Sequence, residues 1–457
     1  MPVTQMKIVV SGATGFIGSA IVRALLARGD RVVALSRSPE RARFPSGIEV
    51  ARFDPNGTVN AAPFEAADAV VHLAGETVAG RWTQEKKRAI YDSRVVGTRT
   101  LVDSIAACAR KPRVLVSASA VGYYGDRKDE PLLETSAPGS GFLADTCVEW
   151  ERETQRAQTL GLRTAWLRQG LVLGSGGGVL AEMLPPFQFL AGGPYGNGSQ
   201  WMPWIRLDDD VAMFVFALDR DVSGPFNAVA PDYATSARLA SALGHALRRP
   251  ALAYAPGIAL YAVLGRFAST LLASQLVLPD AALCAGFTFK HELLEQALLD
   301  IIAPGSGRRP ALHHFEDSVV VKAPLDKAFA FFADASNLAR LTPPALDFRM
   351  RTASPVAMRR GALIEYSLKV RGVPMRWKSL ISDWQPGARF TDYQLRGPYA
   401  LWRHEHEFAE DSGGTLVRDR VAYSLPFAPL GDIALPLVRK DVDKIFEFRR
   451  EAIARLL

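Results

Sequence analysis

The segment Lys7–Gly29, KIVVSGATGFIGSAIVRALLARG, is the strongest constraint on what this chain can fold into. Ile8, Val9 and Val10 form a short β-branched run that leads into Gly12, Gly15 and Gly18. Ile17, Ile21, Val22, Leu25 and Leu26 then recur at helical spacing, and Gly29 ends the pattern. Strand, tight turn and helix are predicted in that order. Glycines let a backbone approach a pyrophosphate closely, and a helix N-terminus offers unpaired N–H groups and the positive end of its dipole. The segment therefore predicts dinucleotide binding, with Gly12, Ala13, Thr14, Gly15, Phe16, Ile17 and Gly18 in the phosphate-facing turn. A purely structural turn is the alternative.

The second strand, Arg31–Leu35, runs into Ser36 and Arg37, with Arg41 nearby. Sites that prefer NAD place a carboxylate at this point to hold the ribose 2′-hydroxyl; a guanidinium suits a 2′-phosphate. Ser36 and Arg37 therefore favour NADP(H), against the plainer reading of Arg37 as a solvated surface charge.

A chain of 457 residues, 48% of them apolar, implies two or three domains with sizeable cores. The cysteines Cys108, Cys147 and Cys284 are odd in number and widely spaced, which predicts neither a disulfide framework nor a zinc site and fits a reducing cytoplasm. The leading MPVTQMK has no apolar signal region. The apolar-rich stretch 251–277 is interrupted by Pro256, Gly265 and Arg266, so a packed helical subdomain is expected there rather than a membrane span. The net charge of +7 is scattered, without the aromatic and basic strip that nucleic-acid binding calls for.

Strands at Lys7–Val10, Arg31–Leu35, Ala69–His72 and Arg113–Ser117 alternate with helices, notably Gln84–Ala109, and the helix Phe142–Leu160 and strand Arg163–Arg168 extend the series. The alternation predicts a doubly wound, Rossmann-like parallel sheet. Residues 174–204, rich in Gly and Pro, read as loops over a pocket, and residues 233–302 as a small helical substrate subdomain. APGSGRRPA, within 303–312, reads as a linker between a first domain, 1–302, and a second, 313–457. In the second, a strand and helix precede a run of strands and a long C-terminal helix, which suggests a separate α+β fold.

His72-Leu73-Ala74-Gly75 and Ser117-Ala118-Ser119-Ala120 each follow a strand, and Tyr123-Tyr124-Gly125 lies just beyond the second. With SGATGFIG, HLAGE, SRVVGT, SASAVGYYG, Trp150-Glu151, RQGLVLG, GGPYGNGSQWMPWI and GFTF, the first two thirds of the chain resemble the epimerase-like branch of the extended short-chain dehydrogenase/reductases related to short-chain dehydrogenase 39U. The resemblance implies a cofactor against Leu73, Ala74, Gly75, Arg94 and Ser117, and hydride exchange with a small-molecule substrate whose oxygen is held by Ser119. Members of that superfamily usually carry Tyr-x-x-x-Lys on the following helix, where the lysine lowers the tyrosine pKa. This chain has Phe142, Leu143, Thr146 and Cys147 there. A literal match, Tyr124 with Lys128, falls in a loop, where four-residue spacing does not bring two side chains together. Ser119, Tyr123 and Tyr124 remain as catalytic candidates, with pocket packing equally open for both tyrosines. The rival reading is a non-catalytic NADPH-binding sensor or scaffold.

Gln200, Trp201, Pro203 and Trp204 are expected to wall the substrate side, and Asp208, Asp209 and Asp210 to cap a helix over 211–218 rather than hold a metal. VVVKAPLDKAFAFFAD, GPYALWRHEHEF, GGTLVRDRVAYSLP and the final helix resemble the START-like, polyketide-cyclase-type (SRPBCC) helix-grip fold, which implies an apolar-ligand cavity beneath the helix. Alternation along 401–408 puts Trp402, His404, His406 and Phe408 on one face. His404 and His406 are expected to line a cavity or pair across strands, and no metal site is predicted anywhere.

Overall fold

In the computed structural model, which describes residues 5–44, 47–307, 309–426 and 430–457, Ile8–Val10 are fully buried in the first strand, β1 (Lys7–Ser11). Residues 1–4 of the leading segment and Arg308 of the expected linker lie outside the described residues. The chain divides into two units, residues 1–307 and 308–457.

The first unit is built on a seven-stranded parallel sheet. After β1 come β2 (Arg31–Ser36), β3 (Glu49–Arg52), β4 (Ala69–His72), β5 (Val114–Ala120), β6 (Arg163–Gln169) and β7 (Gly224–Ala228), in the spatial order β7-β6-β5-β4-β1-β2-β3. Ile8 and Val10 join one apolar cluster while Val9 joins another, and Val71 and Val70 divide in the same way. Both faces are therefore covered, as parallel sheets require. Strand order reverses between β1 and β4, which opens a crevice at their carboxyl ends. The edge strand β3 carries no apolar run, and its four residues were not readable as a strand from pattern alone.

Helix α1 (Phe16–Ala27) buries Gly18, Ile21, Val22 and Leu25. The single helix expected over 84–109 is three pieces: α2 (Gln84–Tyr91), a π-helical turn (Asp92–Val96) and α3 (Gly97–Ala106). The helix α4 (Phe142–Gln155) continues as a 3-10 turn to Leu160, and α5 (Leu207–Asp219) begins earlier than expected. Beyond residue 233 there are helices at Ser236–Leu247, Gly257–Leu264, Ala268–Leu272, Asp280–Cys284 and Leu294–Ile302. Packing in this subdomain is uneven. Gly257–Leu264 has no buried residue, and Ile258, Tyr261 and Val263 are exposed. Among the described residues no helix is long and apolar enough to cross a membrane.

The second unit is a seven-stranded antiparallel sheet with two helices. Its strands are β8 (His313–Val321), β9 (Arg349–Met350), β10 (Leu363–Val370), β11 (Val373–Gln385), β12 (Arg389–Arg396), β13 (Leu401–Asp411) and β14 (Gly414–Ser424), ordered β8-β14-β13-β12-β11-β10-β9. The helix expected over 325–341 stops at Phe332 (α6, Leu325–Phe332), and Asp334 then caps a 3-10 turn by accepting from Ser336 N. The final helix, α7 (Leu435–Leu456), buries Val442, Phe446, Arg449, Ala452 and Ile453 along one face.

Candidate functional site

The crevice floor is held by small residues and one buried hydrogen-bonded chain. Gly12 has φ +69°, and a Cβ on it would stand 2.8 Å from the Leu73 carbonyl carbon; a Cβ on Gly18 would stand 2.1 Å from Gly12 O. Only glycine fits at either position. Ser11 Oγ accepts from Leu73 N at 3.1 Å and Ala74 N at 3.2 Å, and lies 2.6 Å from His72 Nδ1. His72 Nε2 lies 2.9 Å from Thr98 Oγ1, and burial pushes its pKa down to about 4, so the ring is neutral. This chain sets the height of Leu73, Ala74 and Gly75 beside the glycine turn.

At the α1 N-terminus, Thr14 and Gly15 are exposed and no side chain caps the helix. The contrast is α2, where Thr83 accepts from Lys86 N. A helix start left uncapped at a glycine, in the crevice of an open α/β sheet, fits a phosphate group. Ser36 Oγ at the end of β2 accepts from Ser38 N, while Arg37 is exposed and has no ion-pair partner among the described residues. The π-helical turn delivers Arg94 to the same region. Its guanidinium donates to Glu76 O at 2.9 Å, lies 5.3 Å above the Trp150 ring, and would be 3.3 Å from a Cβ on Gly75. Ser117 is fully buried, with Oγ directed to Ala118 O and toward Thr154, so its side chain packs between β5 and α4.

Ser119 has a partner that its motif did not reveal. Its Oγ donates to Glu151 Oε1 at 2.6 Å, and Glu151 is bound bidentately by Arg168, at 2.8 Å for both contacts. Arg168 also donates to Tyr124 Oη at 2.9 Å and Glu134 O at 3.0 Å, and stacks 3.6 Å from the Tyr123 ring centroid. Tyr124 Oη in turn donates to Asn227 Oδ1 at 2.7 Å; the ring is fully buried, and burial raises its pKa well above the ordinary phenol value. Tyr123 is the more exposed of the two tyrosines. WE and RQG stood out in the sequence, but nothing there showed that they meet.

The Tyr124 and Lys128 pair does not form. Lys128 is exposed and paired to Asp126, while Tyr124 is committed to Arg168 and Asn227. On α4, Leu143 and Cys147 pack against Gly122, Thr146 Oγ1 donates to Phe142 O, and burial pushes the Cys147 thiol up to about 12. None of these can supply a mobile proton near neutral pH. Trp201 and Pro203 line a small cleft with Tyr233 and Gln275. Gln200 and Trp204 are instead buried braces, donating to Tyr195 O and Asp232 O. The three aspartates lie in the first turn of α5 rather than at its cap. Asp208 pairs with Arg206, Asp209 accepts from Lys290 N and His291 N, and Asp210 is fully buried on Gln169 Nε2.

In the second unit, burial alternates along β13 from Trp402 as expected, with Trp402, His404, His406 and Phe408 buried, and Leu401 at the strand's start is buried as well. The register adds what spacing along one strand could not show: Asp392 faces His404 across β12, and Asp419 faces His406 across β14.

Comparison with known proteins matches both units. A model of the NAD dependent epimerase/dehydratase family matches residues 8–229, and a domain of unknown function, DUF1731, matches 255–301. The polyketide cyclase/dehydrase and lipid transport family matches residues 313–457. Over 308 residues the chain is 39% identical to the chloroplastic SDR39U1 homolog of Arabidopsis thaliana, covering 65% of this chain and 87% of that protein. It is 37% identical to an epimerase family protein of Mycobacterium bovis, covering 64% of this chain and 96% of that one. Among solved structures, human epimerase family protein SDR39U1 with NADPH aligns with a TM-score of 0.58 and 32% identity, over 65% of this chain and 99% of that chain. A nucleoside-diphosphate sugar epimerase of Corynebacterium glutamicum aligns at 0.52 with 31% identity, over 65% of this chain and 58% of that one.

Proposed function

The chain belongs to the epimerase family that includes SDR39U1, with a polyketide-cyclase-type domain at its C-terminus, and on that premise we propose that its first unit is an NADP(H)-dependent oxidoreductase or epimerase of a small molecule. One observation carries the cofactor reading: the uncapped, glycine-started α1 opens on the crevice between β1 and β4, with exposed Arg37 at the end of the neighbouring β2. The human relative solved with NADPH supports it. Bound there, the nicotinamide would supply hydride exchange at a carbon bearing oxygen. The chain's own residues bind and orient: the Gly12–Gly18 turn takes the pyrophosphate, Arg37 pairs with the 2′-phosphate, and Leu73–Gly75 with Arg94 form the floor. Tyr123, partly exposed over Arg168, is the group placed to exchange a proton with substrate, while Ser119 is held through Glu151. Titration calorimetry with NADPH and NADH tests the reading. NADPH is expected to bind more tightly, and Arg37→Ala to lose about tenfold to a hundredfold for NADPH alone. Equal affinities in the unaltered protein would overturn it.

A second reading is favoured by the same network. Ser119 points its proton into a buried ion pair and Tyr124 is sealed in the core, which suits a protein that binds NADPH without turning it over. For the second unit, we propose a small apolar ligand; the family match and the aromatic inner face of Trp377, Trp402, Tyr423 and Phe446 support it.

A further inference from the structure

We propose that the second unit contains a divalent transition-metal site formed by Asp392, His404 and His406. These are the one such group of three among the described residues, with a ligand atom from each lying within 4.8 Å of the others. Asp392 Oδ2 is 3.4 Å from His404 Nδ1 and 3.2 Å from His406 Nε2. Ligands bound at ~2.0–2.1 Å to a tetrahedral ion stand about 3.3 Å apart, so both edges through the carboxylate already have the required length.

The atoms behind the three ligands are arranged as a metal centre needs them. His404 Nε2 is 2.9 Å and His406 Nδ1 is 2.8 Å from the same oxygen, Asp419 Oδ1. One carboxylate thus stands beside the outward nitrogen of both rings, with Arg449 Nη2 3.2 Å from His406 Nδ1 as well, and the opposite nitrogen of each ring is turned to Asp392; a carboxylate behind the ring is the support that ligating histidines generally have. Arg449 Nε fixes Asp419 through Oδ2 at 3.1 Å, and the Phe390 ring, 4.2 Å from that of His406, holds its plane. Two carboxylates face one permanent cation, so the buried cluster lacks one positive charge. An imidazolium or a metal ion can balance it. The histidines are nearly buried, while the Asp392 side chain keeps 20% of its surface exposed, so an ion would reach the cluster past Asp392. Two histidines and one carboxylate suit zinc with a coordination position left open.

The test uses the full chain, stripped with a chelator and titrated with Zn²⁺ by calorimetry and with Co²⁺ by visible absorption. One equivalent is expected to bind, with the intense Co²⁺ bands of tetrahedral coordination. Asp392→Asn and His404→Gln should abolish those bands, and Asp419→Asn should weaken binding by about 10–100-fold. Should a variant misfold, ring-proton NMR of the unaltered chain decides: Zn²⁺ should shift two buried histidines and leave the other five where they were. Absence of saturable binding by the folded chain, undiminished binding in the Asp392→Asn, His404→Gln double variant, or shifts spread over other histidines would each overturn the proposal.

Discussion

Glu151 and Arg168 form the most demanding pair in the first unit, because both side chains are nearly sealed, at 5% and 4% exposure. Removing one member strands the other charge, at a cost of about 3–5 kcal/mol. Glu151→Ala is expected to lower stability by that amount in urea unfolding. Ser119→Ala removes one bond to a charged group and should cost less, about 1.5–3 kcal/mol. A Ser119→Ala protein of unchanged stability would show that the Ser119–Glu151 bond is not the tie it is read as. Tyr123→Phe separates the two functional readings: cofactor affinity is expected to hold while turnover of carbonyl substrates drops by about 10²-fold or more. Unchanged turnover would remove Tyr123 from proton exchange. The glycine turn and the absent helical tyrosine–lysine pair were legible in the sequence, since local backbone demands and motif spacing are written along one segment. The Ser119–Glu151–Arg168 link was not, because it joins β5, α4 and β6. A weak signal did exist for the second unit. Asp419 sits between Val417 and Val421 on an alternating strand, and Arg449 falls on the same helical face as Val442, Phe446 and Ile453. Charged residues in apolar phase are a mark of buried polar clusters.

At the scale of elements, the structure departs from the sequence pattern where a tertiary contact overrides a continuous periodicity. The helix pattern through 84–109 is unbroken, yet the π-helical turn is what carries Arg94 to Glu76 and Gly75. Such turns recur at functional sites. The first turn of α5 places a carboxyl group in the core. Asp210 is fully buried with, among the described residues, only Gln169 donating to its side chain, and burial pushes its pKa up from 3.8 to about 7. Between those values the unfolded chain gives up a proton that the folded chain keeps. Stability contributed by this group is therefore complete below pH 3.8 and lost as pH rises toward about 7, by up to about tenfold in the folding equilibrium per pH unit. Glu134, pushed up to about 7 by burial, acts with the same sign. Asp210→Asn should remove one such dependence. Its stability relative to the unaltered chain is expected to improve steadily across that window and level off above it. Parallel stability curves for the two proteins would show that Asp210 ionises normally in the fold.

For the molecule as a whole, the sheet of the second unit determines how it can be separated. Five of its pairings join strands consecutive in sequence, from β9 to β14, and the remaining one brings β8 onto β14. First and last strands are therefore neighbours, and a fragment must begin before His313 and run past Ser424 to keep the sheet whole. Among the described residues its two apolar clusters are built from residues after 311, with α6 and α7 supplying Phe329, Phe332, Val442, Phe446 and Ile453. A sheet covered by its own helices has the means to fold alone. Residues 312–457 expressed by themselves are expected to be soluble, to unfold cooperatively, and to take up an apolar fluorescent probe that the unfolded fragment does not bind. The full chain should then show a calorimetric transition at the fragment's own midpoint. An insoluble or non-cooperative fragment would mean that the two units share stability despite their separate cores. A folded fragment that excludes every apolar probe would leave the polar cluster of Asp392, His404 and His406 as the feature through which this unit meets a ligand.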